Sequence, residues 1–573
     1  MTLLSQMPPG LVMILGGLLL PLLGRRAAVG ALIAALLSLL IFVWTYWGNG
    51  YQQPSTLQFL GLTLQPVAVD SLSLPFAIVF HIAAILSTIY ALHVDDIKQH
   101  IAGVTYAGSA IMACCAGDMV TLFVGWELTA ITSVFLIWAR DDIESYKAGV
   151  RYLIIGVTSG VLLLTGTIIQ YTQTGSLTFG DLLVDGHPSP GGWFVLASLA
   201  IKAAFPFLHN WLQDAYPKAT PTGTVFLSAF TTKLAIYALA RSFAGMETLI
   251  TIGCVMTLFP IVFAVIENDL RKVLAYSLNN QLGFMIVGIG IGSELAINGT
   301  VAHAFCHIIY KSVLFMSMGA VLHRVGTCKA TELGGLHKSM PWTTVFCLIG
   351  AGSISGFPLL SGFVSKSMII TAAAEHHHLV AWVVLLIASA GVMEHSGIKI
   401  PFFAFFSHDA GHRVKEAPRN MLIAMALGSA FCIGLGLAYP LLYQLLPYTA
   451  EYHPYTAPHV INQLQLLMFA ALAFVVLIRF GLYPAEKQAE NLDTDVVYRR
   501  WLPKLVGGTA TIVRGVDGSI REDGRSILGE LIEGCRDTFG PRGTLGRTWS
   551  SSTMTFWAAF ILAVCLIMYY VPR

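Results

Sequence analysis

The chain has 573 residues, 55% of them hydrophobic and only 11% charged, with a mean hydropathy of +0.71. A soluble globular protein carries about 25% charged residues, so this composition excludes a large water-facing surface and fits one that faces lipid. A formal net charge of +2 excludes nucleic acid as a partner attracted by charge.

A bilayer core takes about 20 apolar residues per helix. On that rule the sequence predicts sixteen spans, near 9–24, 27–47, 67–92, 100–116, 119–139, 148–171, 191–214, 221–243, 248–266, 273–292, 300–322, 342–374, 379–406, 419–446, 462–482 and 555–571. Several exceed what a straight helix requires, which broken helices would explain. The expected class is an all-α polytopic membrane protein.

Charge tests the count. With the amino terminus outside, the inside connections hold Arg25, Arg26, Lys98, Arg140, Lys147, Lys218, Arg271, Lys272, Arg324, Lys329, Lys338, Arg413, Lys415, Arg419 and the run from Lys487 to Arg547. The outside connections at 48–66, 172–190, 293–299, 375–378 and 447–461 hold no Lys or Arg. This alternation follows the positive-inside rule and suits a cell inner (plasma) membrane. No charge precedes the first apolar run, so a cleaved signal peptide is not expected.

Residues 484–554 are charged and glycine-interrupted, with Val496, Val497, Trp501, Leu502 and Leu505 giving a partly amphipathic stretch. Two readings stand: an element lying along the cytoplasmic surface before the last span, or a disordered linker. The glycines predict a poor rigid strut.

A short repeat lies inside two of the long spans. Ala204-Phe205-Pro206-Phe207-Leu208 and Gly356-Phe357-Pro358-Leu359-Leu360 share the pattern small-Phe-Pro-apolar-Leu. They are five spans apart, an odd number, so the copies should run in opposite directions. Each proline should break its helix, and freed carbonyls at that depth are tolerated only inside protein or beside water. Transporters place ion sites at such paired discontinuities. The predicted organisation is N-terminal spans in 1–99, inverted five-helix units in 100–245 and 246–410, further core spans in 411–483, the cytoplasmic segment 484–554 and a final span in 555–573.

An ionisable residue at the bilayer centre costs about 2.5–3.5 kcal/mol on insertion scales, which makes each one a functional candidate. Glu127 stands in LFVGWELTAITSVFLIW, Lys202 lies four residues before Pro206, Lys233 is mid-span, and Lys366 follows Pro358 by eight residues. His303, His307 and Lys311 recur every fourth residue, on one stripe of a helix. Glu394, His395 and Lys399 form a further, secondary cluster. Loss of hydration weakens a lysine's hold on its proton and a nearby carboxylate restores it; lysines bridged by histidines and water therefore make a switchable proton wire. Against this stand the plainer readings of structural ion pairs, snorkelling lysines and satisfied core histidines. Asp214 and Lys218 read as interfacial.

Nine scattered cysteines include no CxxC, and the HxxxH of His303 and His307 lacks the glutamate of HExxH and a third ligand, so no metal is expected. No Walker or GxGxxG motif occurs, and no cofactor is expected.

Five stretches carry a specific resemblance: LFVGWELTAITSVFLIW, KAAFPFLHNWLQDAYPKATPTG, NDLRKVLAYSLNNQLGFM, HAFCHIIYKSVLFMSMGAV and GFPLLSGFVSK, in order over roughly residues 65 to 420. They resemble the antiporter-like subunit family, which comprises the L, M and N subunits of respiratory complex I and the large A-type and D-type subunits of Mrp sodium/proton antiporters. The resemblance implies about 14 core transmembrane helices with two inverted five-helix repeats containing broken helices, plus additional C-terminal helices. It implies that Glu127 pairs with Lys202, that Lys233 precedes a central relay of His303, His307 and Lys311, and that Lys366 ends it. Lys366 departs from the M type, which has glutamate there, and Leu227 from the L type, which has histidine. An Mrp-like D-type subunit is therefore expected, exchanging a cation such as sodium for protons beside other membrane subunits in the lipid bilayer. The alternative is an L-like proton-pumping subunit of a redox complex. Neither gives the chain a redox centre of its own, and an enzyme is not the expected reading.

Overall fold

The computed structural model describes residues 7–47, 55–484, 486–487, 491–546 and 548–570. It is overwhelmingly helical, and the chain divides into two compact units, Met1–Asn491 and Leu492–Arg573. The helices of the first unit are α1 (Leu11–Leu19), α2 (Ala27–Phe42), α3 (Ser73–Ala91), α4 (Ile97–Cys114), α5 (Met119–Trp138), α6 (Ile143–Thr174), α7 (Pro190–Lys202), α8 (Asn210–Ala215), α9 (Pro221–Ala229) and α10 (Thr231–Ser242). They continue with α11 (Thr248–Ile266), α12 (Leu270–Ile291), α13 (Glu294–Val325), α14 (Pro341–Ser355), α15 (Ser361–Glu375), α16 (Leu379–Val392), α17 (Arg419–Leu437) and α18 (Ala457–Arg479). After α16 the helix runs on through two π-helical stretches, Met393–Ile398 and Phe402–Phe406.

Among the described residues, 12 helical stretches are long and apolar enough to cross a membrane, the first being Leu11–Tyr46, which holds two expected spans separated by Gly24. The other expected spans, at α4, α7–α8 and α14–α15, do not qualify: α4 opens on Lys98, Gln99 and His100, and the other two are interrupted. The span expected at 67–92 starts only at Ser73, because the Asp70 carboxylate accepts from the Leu72 and Ser73 N–H groups and turns the chain. Ahead of it, β1 (Ser55–Phe59) pairs antiparallel with β2 (Leu62–Val67) through a two-residue turn in which Leu60 and Gly61 have φ of 51° and 79°.

The two proline motifs fold alike. In the first, the Phe205 N–H donates to Ala200 O, Ala204 to Ile201 O and Leu208 to Phe205 O; in the second, Phe357 donates to Gly352 O, Gly356 to Ser353 O and Leu360 to Phe357 O. Positive φ falls at the first and fourth positions of both: Ala204 59° and Phe207 68°, Gly356 77° and Leu359 74°. The match extends well beyond the motif. Asp118 bridges Thr178 and Asp269 bridges Lys329; the Met119 N–H donates to Leu177 O and that of Leu270 to Cys328 O; 118 and 269, 177 and 328 each differ by 151. Helices α6 and α13 are both 32 residues, start 151 apart, and end on left-handed Gly175 and Gly326.

Loop contacts sort the connections onto two faces. Arg140 and Arg271 both donate to Pro217 O, Leu270 to Cys328 O, His412 meets Glu332 O, and Asn491 meets Glu267. This face gathers Arg140, Arg271, Lys272, Arg324, Lys329 and Arg413. The opposite face joins Gly117 to Gln65, Leu182 to Ser242, Gly245 to Ile289 and Asn298 to Tyr448. There Arg241 is paired with Asp70 at 2.7 Å. The first broken helix, α7–α8, runs towards the basic face, and the second, α14–α15, runs away from it.

The second unit holds α19 (Leu502–Phe539) and α20 (Ser551–Tyr570). The poor strut expected from the glycines is corrected here, because α19 is a continuous helix of 38 residues that runs through all of its glycines. Leu505, Val516, Ile520 and Ile527 recur at helical spacing on one side; Gly507, Gly515, Gly518 and Gly529 lie on the other, whereas Gly524 and Gly534 fall on the apolar side.

Candidate functional site: a buried line of lysines and histidines

The breaks position the lysines. Lys202 is the last residue of α7, and its fully enclosed ammonium donates to Trp126 O at 3.0 Å and Thr129 Oγ1 at 3.2 Å, with its Nζ 4.8 Å from the centroid of the Trp126 ring. Lys366 of α15 donates to Ile354 O at 3.0 Å, one of the carbonyls freed where α14 stops at Ser355. The next freed carbonyl, Ser355 O, accepts from Gln463 Nε2 at 3.3 Å. Lys233 donates to Ser228 O at 2.6 Å, across the discontinuity between α9 and α10 at Phe230. A charged ammonium without water needs oxygen ligands and favours the negative end of a helix. Interrupted helices supply both.

Glu127 faces α6 at Gly160. A Cβ at residue 160 would fall on Glu127 Oε1, so a larger residue there would turn the carboxylate out of this place. That oxygen is buried without a hydrogen-bond partner among the described residues, and Lys202 is the charge that acts on it. The two side chains are electrostatic neighbours, while the Lys202 ammonium itself is held by the residues flanking Glu127, Trp126 and Thr129.

Hydroxyls fill the interval between Lys202 and Lys233. A cavity of about 10 Å³, close to the volume one water needs, is lined by Lys202, Tyr152, Trp211 and Thr231. Tyr106 Oη lies 2.6 Å from Thr231 Oγ1, and Tyr152 Oη lies 2.8 Å from Ser133 Oγ.

Beyond Lys233 stands α13, with His303, His307 and Lys311 all at 0% exposure. His307 has no hydrogen-bond partner on either ring nitrogen among the described residues, nor has Lys311 Nζ, which lies 5.9 Å from the Phe315 ring centroid. Lys233, Lys311, His303 and Lys366 all act electrostatically on His307. Buried polar atoms are nearly always hydrogen-bonded, to protein or to ordered water, so this stretch is suited to a hydrated channel. His303 is better anchored, with Nε2 3.1 Å from Gln281 Oε1 and Nδ1 3.2 Å from Ser365 Oγ. Gln281 also accepts from Tyr310 Oη at 3.2 Å. A cavity of about 570 Å³ then opens from Lys366 along α15 to Glu375 and Trp382, on the side away from the basic face.

The secondary cluster lies at the π-helical stretches. Lys399 donates to three carbonyls at the end of α11, those of Ala264, Val265 and Glu267, and its Nζ is 2.8 Å from Glu486 Oε1. Glu394 accepts from Tyr483 Oη at 2.7 Å, and His395 Nδ1 lies 2.8 Å from Ser396 Oγ. Asp214 and Lys218 sit at the basic face, where Asp214 pairs with Arg151 at 2.7 Å and with Lys218 at 3.1 Å. Sequence reasoning missed Thr231, Tyr152, Gln281, Ser365, Tyr483 and Glu486. A signal existed for Gln281: Asn279, Asn280 and Gln281 are three adjacent amides inside an apolar span, all at 0% exposure.

Known proteins are similar to this chain in sequence and in fold. The family model described as NADH:quinone oxidoreductase/Mrp antiporter, TM, matches residues 116–433. The D-type subunit of the Na(+)/H(+) antiporter of Alkalihalophilus pseudofirmus is 31% identical over 311 residues, which are 51% of this chain and 63% of that one. In fold, the chain is similar to a chain of the Mrp complex from Dietzia sp. DQ12-45-1b, with a TM-score of 0.74 and 23% identity, over 99% of this chain and 63% of that chain. It is also similar to a chain of the archaeal membrane-bound sulfane sulfur reductase, with a TM-score of 0.70 and 19% identity, over 98% of this chain and 99% of that one. The chain thus spans a little under two thirds of the Alkalihalophilus antiporter protein and of the Mrp chain.

Proposed function

Because the chain belongs to the NADH:quinone oxidoreductase/Mrp antiporter transmembrane family, we propose that it is the proton-translocating subunit of a multisubunit sodium/proton antiporter, of the D type. Protons pass along Glu127, Lys202, Lys233, Lys311, His307, His303 and Lys366. The observation that carries this reading is the run of fully buried titratable groups from Lys233 to Lys366, whose orphaned nitrogens call for water. Like charges repel strongly in a low-dielectric interior, so protonating one site disfavours protonation of the next and passes the charge on. The correspondence at 151 residues supports two inverted units, 100–245 and 246–410, each with one broken helix. The basic face is assigned to the cytoplasm by the positive-inside rule, which puts the amino terminus outside in the plasma membrane. Membrane subunits and lipid are the partners.

The test uses membrane vesicles holding the assembled complex and a pH-sensitive dye, with sodium added to drive proton movement. Glu127→Ala, Lys202→Ala and Lys366→Ala should each slow transport by about a hundredfold, as expected where a positioned proton carrier is lost, with partner subunits still co-purifying. Wild-type rates in all three would sink the relay.

The second reading, a proton-pumping subunit of a respiratory redox complex, is favoured by one observation: the fold likeness covers 99% of the sulfane sulfur reductase chain against 63% of the Mrp chain. Proteins co-purifying with the chain separate the two. Iron–sulfur or flavin proteins would replace the antiporter reading with this one.

A further inference from the structure

Two π-helical stretches in one helix are unusual, and π turns cluster at functional sites. Here they present Glu394, His395, Ser396 and Lys399 to different surroundings. Lys399 faces the basic end, where it caps the carbonyls of α11 and meets Glu486 at 2.8 Å. Glu394 meets Tyr483 at 2.7 Å. His395 faces inward: it is fully buried, its Nε2 has no hydrogen-bond partner among the described residues, and Lys311, Lys399 and Lys366 act on it electrostatically.

From His395 a chain of hydrogen-bonding groups leads to the relay. His395 Nδ1 lies 2.8 Å from Ser396 Oγ, and Ser396 Oγ donates to Ser277 Oγ at 2.6 Å. Ser277 stands on α12 one turn before Gln281, which holds His303 at 3.1 Å. Gly397 packs against Ser355, at the helix end that Lys366 caps: a Cβ there would lie 2.4 Å from Ser355 Oγ. The π-helical stretch therefore adjoins the relay directly.

Tyr483 and Glu486 follow α18 in the chain, and both meet side chains of this helix. The Tyr483 ring packs 5.1 Å from that of Phe474 and 6.5 Å from that of Phe403. Asn491 Nδ2 donates to Glu267 Oε2 at 3.2 Å. Glu486 is 7% exposed in its side chain, and burial raises its carboxyl above the usual range while Lys399 opposes the rise.

We infer that Glu486, Lys399, Glu394 and His395 form a second proton-access route, from the basic face to the relay at His303 and Lys366. A proton taken up at Glu486 passes to Lys399 and Glu394, then to His395, and through Ser396 and Ser277 to Gln281-bound His303, with each donor reprotonated from the side it faces.

This route rests on the relay proposed above, and the test separates the two. In vesicles holding the assembled complex, His395→Gln and Ser277→Ala should each slow sodium-driven proton movement by about tenfold. The serine variant removes one hydroxyl and barely disturbs packing, so it covers the case in which the histidine variant fails to assemble. Wild-type transport in Ser277→Ala and in assembled His395→Gln, in preparations where Lys202→Ala is inactive, overturns the route and leaves the relay standing. Wild-type transport in Glu127→Ala, Lys202→Ala and Lys366→Ala as well overturns both.

Discussion

Glu127 is held by absence as much as by contact. Its Oε1 occupies the space where a side chain at residue 160 would begin. Gly160→Ala should therefore expel the carboxylate, and transport should fall nearly as far as in Glu127→Ala, by about a hundredfold; normal rates in Gly160→Ala would show that the slot does not position Glu127. A different residue tests the basic face. Burial, with the charge of His323 adding to it, pushes His93 down to about 4. The unfolded chain then binds the extra proton between about pH 6.5 and 4, so stability should fall as pH drops through that window. With the ring half exposed, the loss should be about 1 kcal/mol. Thermal melts of the purified complex at pH 7 and pH 5 check this: His93→Gln should narrow the difference between them.

At the scale of elements, the two proline motifs place positive φ on Ala204, Phe207 and Leu359, where a side chain costs about 1–2 kcal/mol. Leu359→Gly should relieve that cost and raise the melting temperature, whereas Leu359→Val should lower it. Equal melting temperatures for all three proteins would mean that the break is not specified by this residue. Much of this scale was legible beforehand. Both breaks followed from Pro206 and Pro358, and the opposite courses of the two copies followed from counting spans. The glutamate, lysines and histidines stood out because charge is rare in apolar runs. What the sequence did not disclose was geometry between distant segments. Thr231, Tyr152 and Ser277 are hydroxyl residues of ordinary appearance, and only tertiary packing joins them to Lys202, Lys233 and His395. Tyr483 and Glu486 lay hidden for another reason: they follow a span, where a tyrosine and a glutamate read as solvated linker. The continuity of α19 was misjudged because a glycine costs a helix interior only about 1 kcal/mol and does not by itself interrupt it.

At the scale of the whole chain, the second unit offers an independent experiment. Gly507, Gly515, Gly518 and Gly529 all have open space where a Cβ would go. Each replacement by alanine should favour the helix by about 1 kcal/mol, visible as added protection of α19 amides in hydrogen exchange. No gain in protection would mean that the helix is already held by something other than its own propensity. In the first unit, the concentration of basic residues on one face gives the insertion machinery an unambiguous cue. Labelling of single cysteines placed near Lys338 and near Glu375 from opposite sides of the membrane should report opposite locations, and the same location for both would overturn the assignment of faces.

The displacement of 151 residues reaches further than architecture. Position 160 in α6 answers to position 311 in α13, so the first half has a void, filled by a neighbour's anion, at the place where the second half has a cation. Position 152 likewise offers a phenol where 303 offers an imidazole. Turning the molecule over about its internal axis would restore the frame and not the charges. The fold alone is indifferent to direction, and these few substitutions would give the proposed relay a polarity, much as doping turns a symmetric crystal into a rectifier.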